Sequence, residues 1–329
     1  SDKEFVEGSG RDDLGIETLG ETILSDLLPG INNQTDRARY YSFWAWVLNG
    51  FIEDPNADPH IQGNFYKWLR NREDMLILAY LSHGCGGGLA GTRKGARVWQ
   101  NGESEIYDIG WKSLESANGG AYQLYYRGVL EETNVIVRND ESLHDDLSKE
   151  IGKQLAEAYG LSVNSTNFVK KNLDATLIPK TDIREYAETG CICQASKNEI
   201  ERKLLINTFF RYDTPDTFAV KRLASLCYLL DVMENSQGLP LGKSDFRTVM
   251  YFWSYNGIKP YIPEGNLIQP AERWRIFQLR QYYVFFIEVF WSLFLHKIRN
   301  ITMTANEYIE WLMLELDLHK LNESWGIKD

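Results

Sequence analysis

Two arginines at the start of an aromatic helix are the first residues in this chain with the makings of chemistry. Arg37 and Arg39 lie in the stretch PGINNQTDRARYYSFWAW. A cation in the first turn of a helix opposes the helix dipole, so a site that places arginine there is holding something negative. The planar guanidinium fork bonds carboxylates and phosphates bidentately. Two readings follow. Each arginine pairs with a carboxylate of a neighbouring helix, or the two contact the phosphate of a nucleotide or nucleic acid.

A second anion candidate is the run HGCGGGLAGTRKGARVWQNG at residues 83–102. Glycine-rich backbone can cradle phosphate through its amides, with Arg93, Lys94 and Arg97 as the contacting cations. The run lacks the Gly-x-x-x-x-Gly-Lys-Ser/Thr pattern of a Walker A loop, and no strand clearly precedes it. An ordinary connection between helices is the plainer reading. Tyr122, Tyr125 and Tyr126 form an aromatic stripe that suits base stacking or, more commonly, core packing at helical spacing.

Gly190-Cys191-Ile192-Cys193 invites a metal reading. Cys-x-Cys is not the usual Cys-x2–4-Cys knuckle, and no His-x3–5-His completes it nearby. His83 and Cys85 are the sequence-distant residues that could join it. The expectation is that these are small buried thiols at a helix start, with no metal and no cofactor. His144-Asp145-Asp146 shares only its letters with a metal-dependent phosphohydrolase element, since a His-Asp pair also suits a polar helix start. There is no Gly-x-Ser-x-Gly, His-Glu-x-x-His or dinucleotide fingerprint. No catalytic residue is assigned.

The elements that must position these residues are helices. Pro29-Gly30 and Asn32-Asn33 punctuate the chain. Thr35 stands where an N-cap belongs. A helix is expected over 36–48, with Asn49-Gly50 as its stop. Tyr40, Phe43, Val47 and Phe51 follow 3–4 spacing, as do Tyr41, Trp44 and Leu48, so this helix should be nearly surrounded by protein. Further helices are expected over 14–28, 65–82, 111–117, 121–131, 143–159, 164–173, 196–210, 217–234, 244–253, 270–299 and 304–321. Ser196 with Glu199, and Thr304 with Glu307, have capping-box spacing. Residues 135–138 are the best strand candidate. The fold class is therefore mainly α, a multi-helix bundle-like assembly with glycine-rich connecting loops and few or no strands. Two helical domains are expected, 1–178 and 179–329.

The stretch from Pro29 to Trp46 resembles the N-terminal signature of an uncharacterised group of bacterial proteins with a Pro-Gly-x-x-x-x-Thr-x-Arg-Ala-Arg-Tyr pattern. Thr35, Arg37, Arg39 and Tyr40 match it. The resemblance is confined to this stretch and implies a place among components of phage-defence or mobile-element gene clusters. It brings no catalytic residue and no site role.

At 329 residues, with 43% hydrophobic and 13% aromatic content, the chain is long and apolar enough for packed cores. Its net charge of −11 argues against non-specific polyanion binding, which rests on many lysine and arginine contacts to phosphate. A local basic patch remains compatible with that balance. Four cysteines give no disulfide-scaffold density, so a reducing cytoplasm is expected. Residues 1–13 read as a polar leader without an apolar signal region. The apolar run QYYVFFIEVFWSLFLH at 281–296 is too short to span a bilayer and carries Glu288 at its middle, so a buried core helix is expected. The function that fits is a non-catalytic helical interaction subunit of a bacterial complex, in anti-phage defence or DNA transactions. Its partners would be proteins of the same complex. The alternative is a nucleic-acid or nucleotide sensor using Arg37, Arg39, Arg93, Lys94 and Arg97.

Overall fold

The structure, a computed structural model, describes residues 16–56, 61–85, 88–111, 118–139, 142, 144–212, 214–236, 238, 241–255, 257–299 and 301–315. In chain order it builds α1 (Ile16–Leu27), α2 (Arg39–Glu53), α3 (Gln62–Ser82), α4 (Thr92–Trp99), β1 (Ile106–Asp108), α5 (Arg127–Glu132), β2 (Ile136–Val137) and β3 (Asp146–Leu147). There follow α6 (Gly152–Val163), α7 (Asn167–Lys171), β4 (Leu177–Pro179), α8 (Lys180–Gly190), α9 (Glu199–Phe209) and α10 (Thr217–Asn235). Last come α11 (Lys243–Phe252), β5 (Ser254–Tyr255), β6 (Lys259–Pro260), α12 (Ile268–Ile298) and α13 (Ala305–Glu315). The fold is mainly α. The short strands pair antiparallel, β1 with β4, β2 with β3 and β5 with β6.

The chain divides into two units. The larger takes Glu21–Leu241 and Tyr261–Ala271; the smaller takes the described parts of Ser1–Gly20, Gly242–Pro260 and Glu272–Asp329. The expected boundary after residue 178 does not appear. It falls inside β4, whose pairing with β1 ties residues 106–108 to 177–179 within the larger unit. Backbone pairing between distant segments leaves no trace in local composition.

The core of the larger unit is organised around α2, which packs on α6, α3 and α9. Tyr40, Phe43, Trp44, Val47, Leu48 and Phe51 are all buried. The Trp44 ring sits 5.0 Å from Phe43, 5.3 Å from Tyr122 and 5.5 Å from Tyr126. Wide 3–4 apolar spacing has thus produced a surrounded helix, as expected. Its ends differ from expectation. Thr35 does not cap it: its hydroxyl accepts from the Asn32 amide at 2.9 Å and donates to the Asn32 carbonyl at 3.1 Å, closing the preceding turn. Nor does the helix stop at Asn49-Gly50. The Trp68 ring lies 3.0 Å from where a Cβ on Gly50 would sit, and Trp68 Nε1 donates to the Val47 carbonyl at 2.8 Å. Glycine there makes room for a ring; tertiary packing overrides its local preference.

Elsewhere, residues 144–151 do not form the start of a helix, because 146–147 pair with 136–137 and the helix begins only at Gly152; residue 143 lies outside the described residues. The N-cap of α9 is Asn198, whose side chain accepts from the Glu201 amide at 3.0 Å, rather than Ser196. At α13 the capping box forms as spaced: the Thr304 amide donates to Glu307 at 2.7 Å, and the Glu307 amide to the Thr304 hydroxyl at 3.3 Å. The segment 112–117 lies outside the described residues, as do 1–15 and 316–329. The apolar half of α12 is not a core helix. Tyr282, Tyr283, Phe285, Phe286, Trp291 and Leu295 are exposed. Among the described residues no helix is long and apolar enough to cross a membrane.

Candidate metal centre

Arg39 defines one wall of the site. Its guanidinium is fully buried against Glu201, with Nε at 3.0 and 3.2 Å from the two carboxylate oxygens and Nη2 at 2.9 Å from Oε2. Its Nη1 donates to the carbonyls of Thr189 and Cys191, each at 2.7 Å. The Ser42 hydroxyl also bonds the carboxylate. Burial works to lower the pKa of Arg39, but Tyr159 and Glu201 outweigh it and the net shift is upward. Of the two readings of this arginine, the structure supplies the carboxylate of a neighbouring helix. Every guanidinium nitrogen is already bonded, and none faces solvent. What the side chain does besides pairing is grip the backbone on either side of Gly190.

The far end of α3 supplies the opposite wall. Gly84 takes a left-handed φ of 66°. The Cys85 amide bonds the Tyr80 carbonyl at 3.4 Å, and the Gly84 amide bonds the Leu81 carbonyl at 3.1 Å. This pairing is a Schellman motif, which needs a residue without a Cβ penalty at the left-handed position. It turns the chain sharply enough that His83 and Cys85 face the same way. At the end of α8 the Cys191 amide closes on the Ala187 carbonyl, and Cys191 is extended, with φ −60° and ψ 139°. A 3₁₀ turn, Ile192–Lys197, follows at once. Cys191 and Cys193 are thereby brought to one side.

The two turns meet. His83 Nδ1 lies 3.0 Å from Cys193 Sγ and 3.5 Å from Cys85 Sγ. Cys85 Sγ lies 3.4 Å from Cys191 Sγ and 3.2 Å from Cys193 Sγ, and the last two sulfurs are 3.4 Å apart. Four donor atoms from two segments over a hundred residues apart lie within 4.8 Å of one another. All three cysteines are free thiols. Burial, first of all, pushes the Cys85 and Cys191 thiols up; the Cys193 amide, hydrogen-bonded to Cys191, and Arg37, facing Cys85, pull the other way. Sequence spacing had left these thiols as packing residues. The structure adds His83 and Cys85 to the Cys-x-Cys pair, which makes a four-donor set of the kind that holds a tetrahedral metal.

Two neighbours complete the surroundings. Gln194 Nε2 is 2.9 Å from His83 Nε2. Arg37 is half-buried and faces Tyr80, Asp36 and Cys85, which outweigh the opposing effect of burial and raise its pKa. Sequence reasoning singled out Arg37 but missed Gln194 and Glu201. Neither has a local signal: Glu201 sits in the first turn of α9 like any acidic residue favoured by the dipole.

The remaining candidates go elsewhere. Arg93 and Arg97 are exposed on α4, one turn apart, and Lys94 is half-buried beside them. Tyr122 and Tyr126 are core residues, and Tyr126 lies 4.9 Å from Tyr40. Asp145 is buried, accepts from the Tyr122 hydroxyl at 2.6 Å and pairs bidentately with Arg127 at 2.7 and 2.8 Å. It is an ion-pair residue rather than part of a hydrolase element. No family model matches the chain, and neither a curated protein nor a solved structure shows significant similarity to it.

Proposed function

We propose that the chain is a non-catalytic helical interaction subunit of a bacterial complex, engaged in anti-phage defence or a DNA transaction, and that it docks a helix of another polypeptide on α12. One observation carries this reading. Ile276, Leu279, Tyr283 and Phe286 repeat at 3–4 spacing along α12 and are 59%, 51%, 60% and 56% exposed. Phe290 and Leu293 continue the same row, half-buried. A 3–4 apolar seam is the pattern with which one helix packs along another. A helix apolar on most of its circumference belongs inside protein or lipid, and α12 is not long and apolar enough to cross a membrane. The resemblance of residues 29–46 to components of defence or mobile-element clusters supports the setting.

The test places a photo-crosslinking amino acid at Tyr283 or Phe286, with Leu161 on α6, which is 70% exposed, as the control position. The expected result is a discrete crosslink to one partner chain from the α12 positions alone. Equal, diffuse labelling from all three positions overturns the reading.

A second reading, a nucleic-acid or nucleotide sensor, is favoured by the exposed Arg93 and Arg97 beside Lys94 on α4. It predicts binding that weakens steeply with salt, and a shallower salt slope after charge reversal at Arg93 and Arg97. Absence of binding at low salt removes it.

A further inference from the structure

We propose that His83, Cys85, Cys191 and Cys193 bind a single zinc ion, which fastens the C-terminal turn of α3 to the C-terminal end of α8. The donor set and its closure are the argument. Zinc–sulfur bonds of about 2.3 Å and zinc–nitrogen bonds of about 2.0–2.1 Å, arranged tetrahedrally, put neighbouring donors roughly 3.5–3.8 Å apart. The sulfur pairs stand at 3.2–3.4 Å and the nitrogen contacts at 3.0 and 3.5 Å. The sixth edge, from His83 to Cys191, lies within 4.8 Å; small outward movements of the close pairs and a turn of the imidazole toward Cys191 complete the polyhedron. A disulfide would need a sulfur pair at about 2.05 Å, and three mutually adjacent thiols cannot all be paired. Three thiolates with one imidazole exclude magnesium and calcium, which take oxygen ligands. Four protein donors leave no open position, so the ion is structural.

The surroundings fit a bound cation as well. Coordination through His83 Nδ1 requires the proton on Nε2 and an acceptor beyond it. Gln194 lies beside the ring, its amide nitrogen 2.9 Å from Nε2 and 3.3 Å from Nδ1; a turn of this side chain that brings Oε1 onto the Nε2 proton supplies the acceptor and fixes the tautomer. Zinc with three thiolates carries a net negative charge, and Arg37 facing Cys85 is the compensating cation. Arg39 holds the Thr189 and Cys191 carbonyls, so the Cys191 turn is positioned before any ion arrives. The two arginines of the sequence signature thus serve one site. The ligand pairs leave helix ends as His-Gly-Cys and Cys-Ile-Cys, which is why knuckle spacing does not find them.

The experiment uses the full chain, expressed in zinc-supplemented medium and purified under reducing conditions without chelator. Elemental analysis should give about one zinc per chain, and cobalt replacement should give the visible absorption of tetrahedral cobalt together with thiolate charge transfer. Cys85→Ser and Cys193→Ser should fall to about a tenth of the wild-type metal content or less. His83→Cys, which offers four thiolates, should keep the metal, and Cys227→Ser, an exposed thiol on α10, should leave it unchanged. If the serine variants fail to fold, the wild-type and His83→Cys measurements decide. A wild-type chain without zinc and without a tetrahedral cobalt spectrum overturns the proposal. So does a disulfide among the three thiols, stoichiometric iron or copper in place of zinc, or full metal content in Cys85→Ser.

Discussion

Helices α2 and α12 are both crowded with aromatic side chains, yet one lies inside protein and the other displays its rings. Trp44 on α2 is 1% exposed; Trp291 on α12 is 54% exposed. Composition does not separate them. What differs is company. α2 begins at a buried arginine whose carboxylate comes from α9 and whose carbonyl partners come from the end of α8, and the Trp44 ring meets Tyr122 and Tyr126. Around α12 in the smaller unit, Phe290 and Phe294 meet Tyr308 at 5.6 and 5.0 Å, while Tyr283, Phe286 and Trp291 stay exposed. An apolar stripe says that a face wants covering; a buried polar group with satisfied partners says that the covering is intramolecular.

The sharpest way to break this comparison is to remove the carboxylate. Glu201→Ala leaves the Arg39 charge buried and half-partnered, and removing one member of such a pair costs about 3–5 kcal/mol. Urea unfolding should register that loss. The double variant Arg39→Met with Glu201→Leu removes the stranded charge and should regain part of the stability. It should not regain all of it, because both carbonyls lose the guanidinium: the Cys191 carbonyl keeps the Gln194 amide at 2.9 Å, but the Thr189 carbonyl loses its Arg39 donor, at about 1–3 kcal/mol for a buried acceptor left unpaired. Full recovery would mean that Arg39 does not support the Cys191 turn.

Next in size is the matched pair of tryptophans. Trp44→Ala should cost about 3–5 kcal/mol, the usual penalty for emptying a buried aromatic site. Trp291→Ala should stay within about 0.5 kcal/mol in the isolated chain. A large loss at Trp291 would show that α12 is covered in solution, and the contrast between the helices would fall.

The same contrast explains which parts of the molecule were legible in sequence. Helix identity was, because 3–4 spacing and caps such as Thr304 with Glu307 are local. The burial of α2 was legible from the width of its apolar face. Boundaries set by tertiary contact were not: Gly50 stays helical because the Trp68 ring needs its bare Cα, and residues 146–147 become a strand because 136–137 pair with them. The site was half legible. Arg39 declared a negative partner through its place at a helix start, without naming Glu201. Cys-x-Cys declared a donor pair, but joining it to His83 and Cys85 needed the contact of two helix ends more than a hundred residues apart. Gln194 carries no signal at all until the imidazole is beside it.

A medium-sized effect tests the surroundings of the metal centre and depends on zinc being there. Gln194→Ala removes the acceptor that fixes the His83 tautomer and should weaken zinc about 10–100-fold, the usual cost of losing such a partner. Competition with a chromophoric chelator measures it. Gln194→Glu keeps an acceptor and should retain most of the affinity. If both variants lose it equally, Gln194 packs the turn without orienting the ring.

The smallest expected effect on stability is the most informative about α12. Phe286→Ser at an exposed position should change unfolding by no more than about 0.5 kcal/mol, since surface positions away from special features stay within that range. The same change in a packed helix–helix seam removes a buried aromatic anchor, and such anchors dominate association energies at about 2 kcal/mol or more. Stability and association therefore respond in opposite measure at this one residue. Unfolding of the purified chain should barely move, while the crosslink from Tyr283 should disappear. At Phe43 on α2 the same substitution should do the reverse, costing several kcal/mol of stability through an emptied core site. If Phe286→Ser instead destabilises the chain as Phe43→Ser does, α12 is a core helix, and its seam is not waiting for a partner.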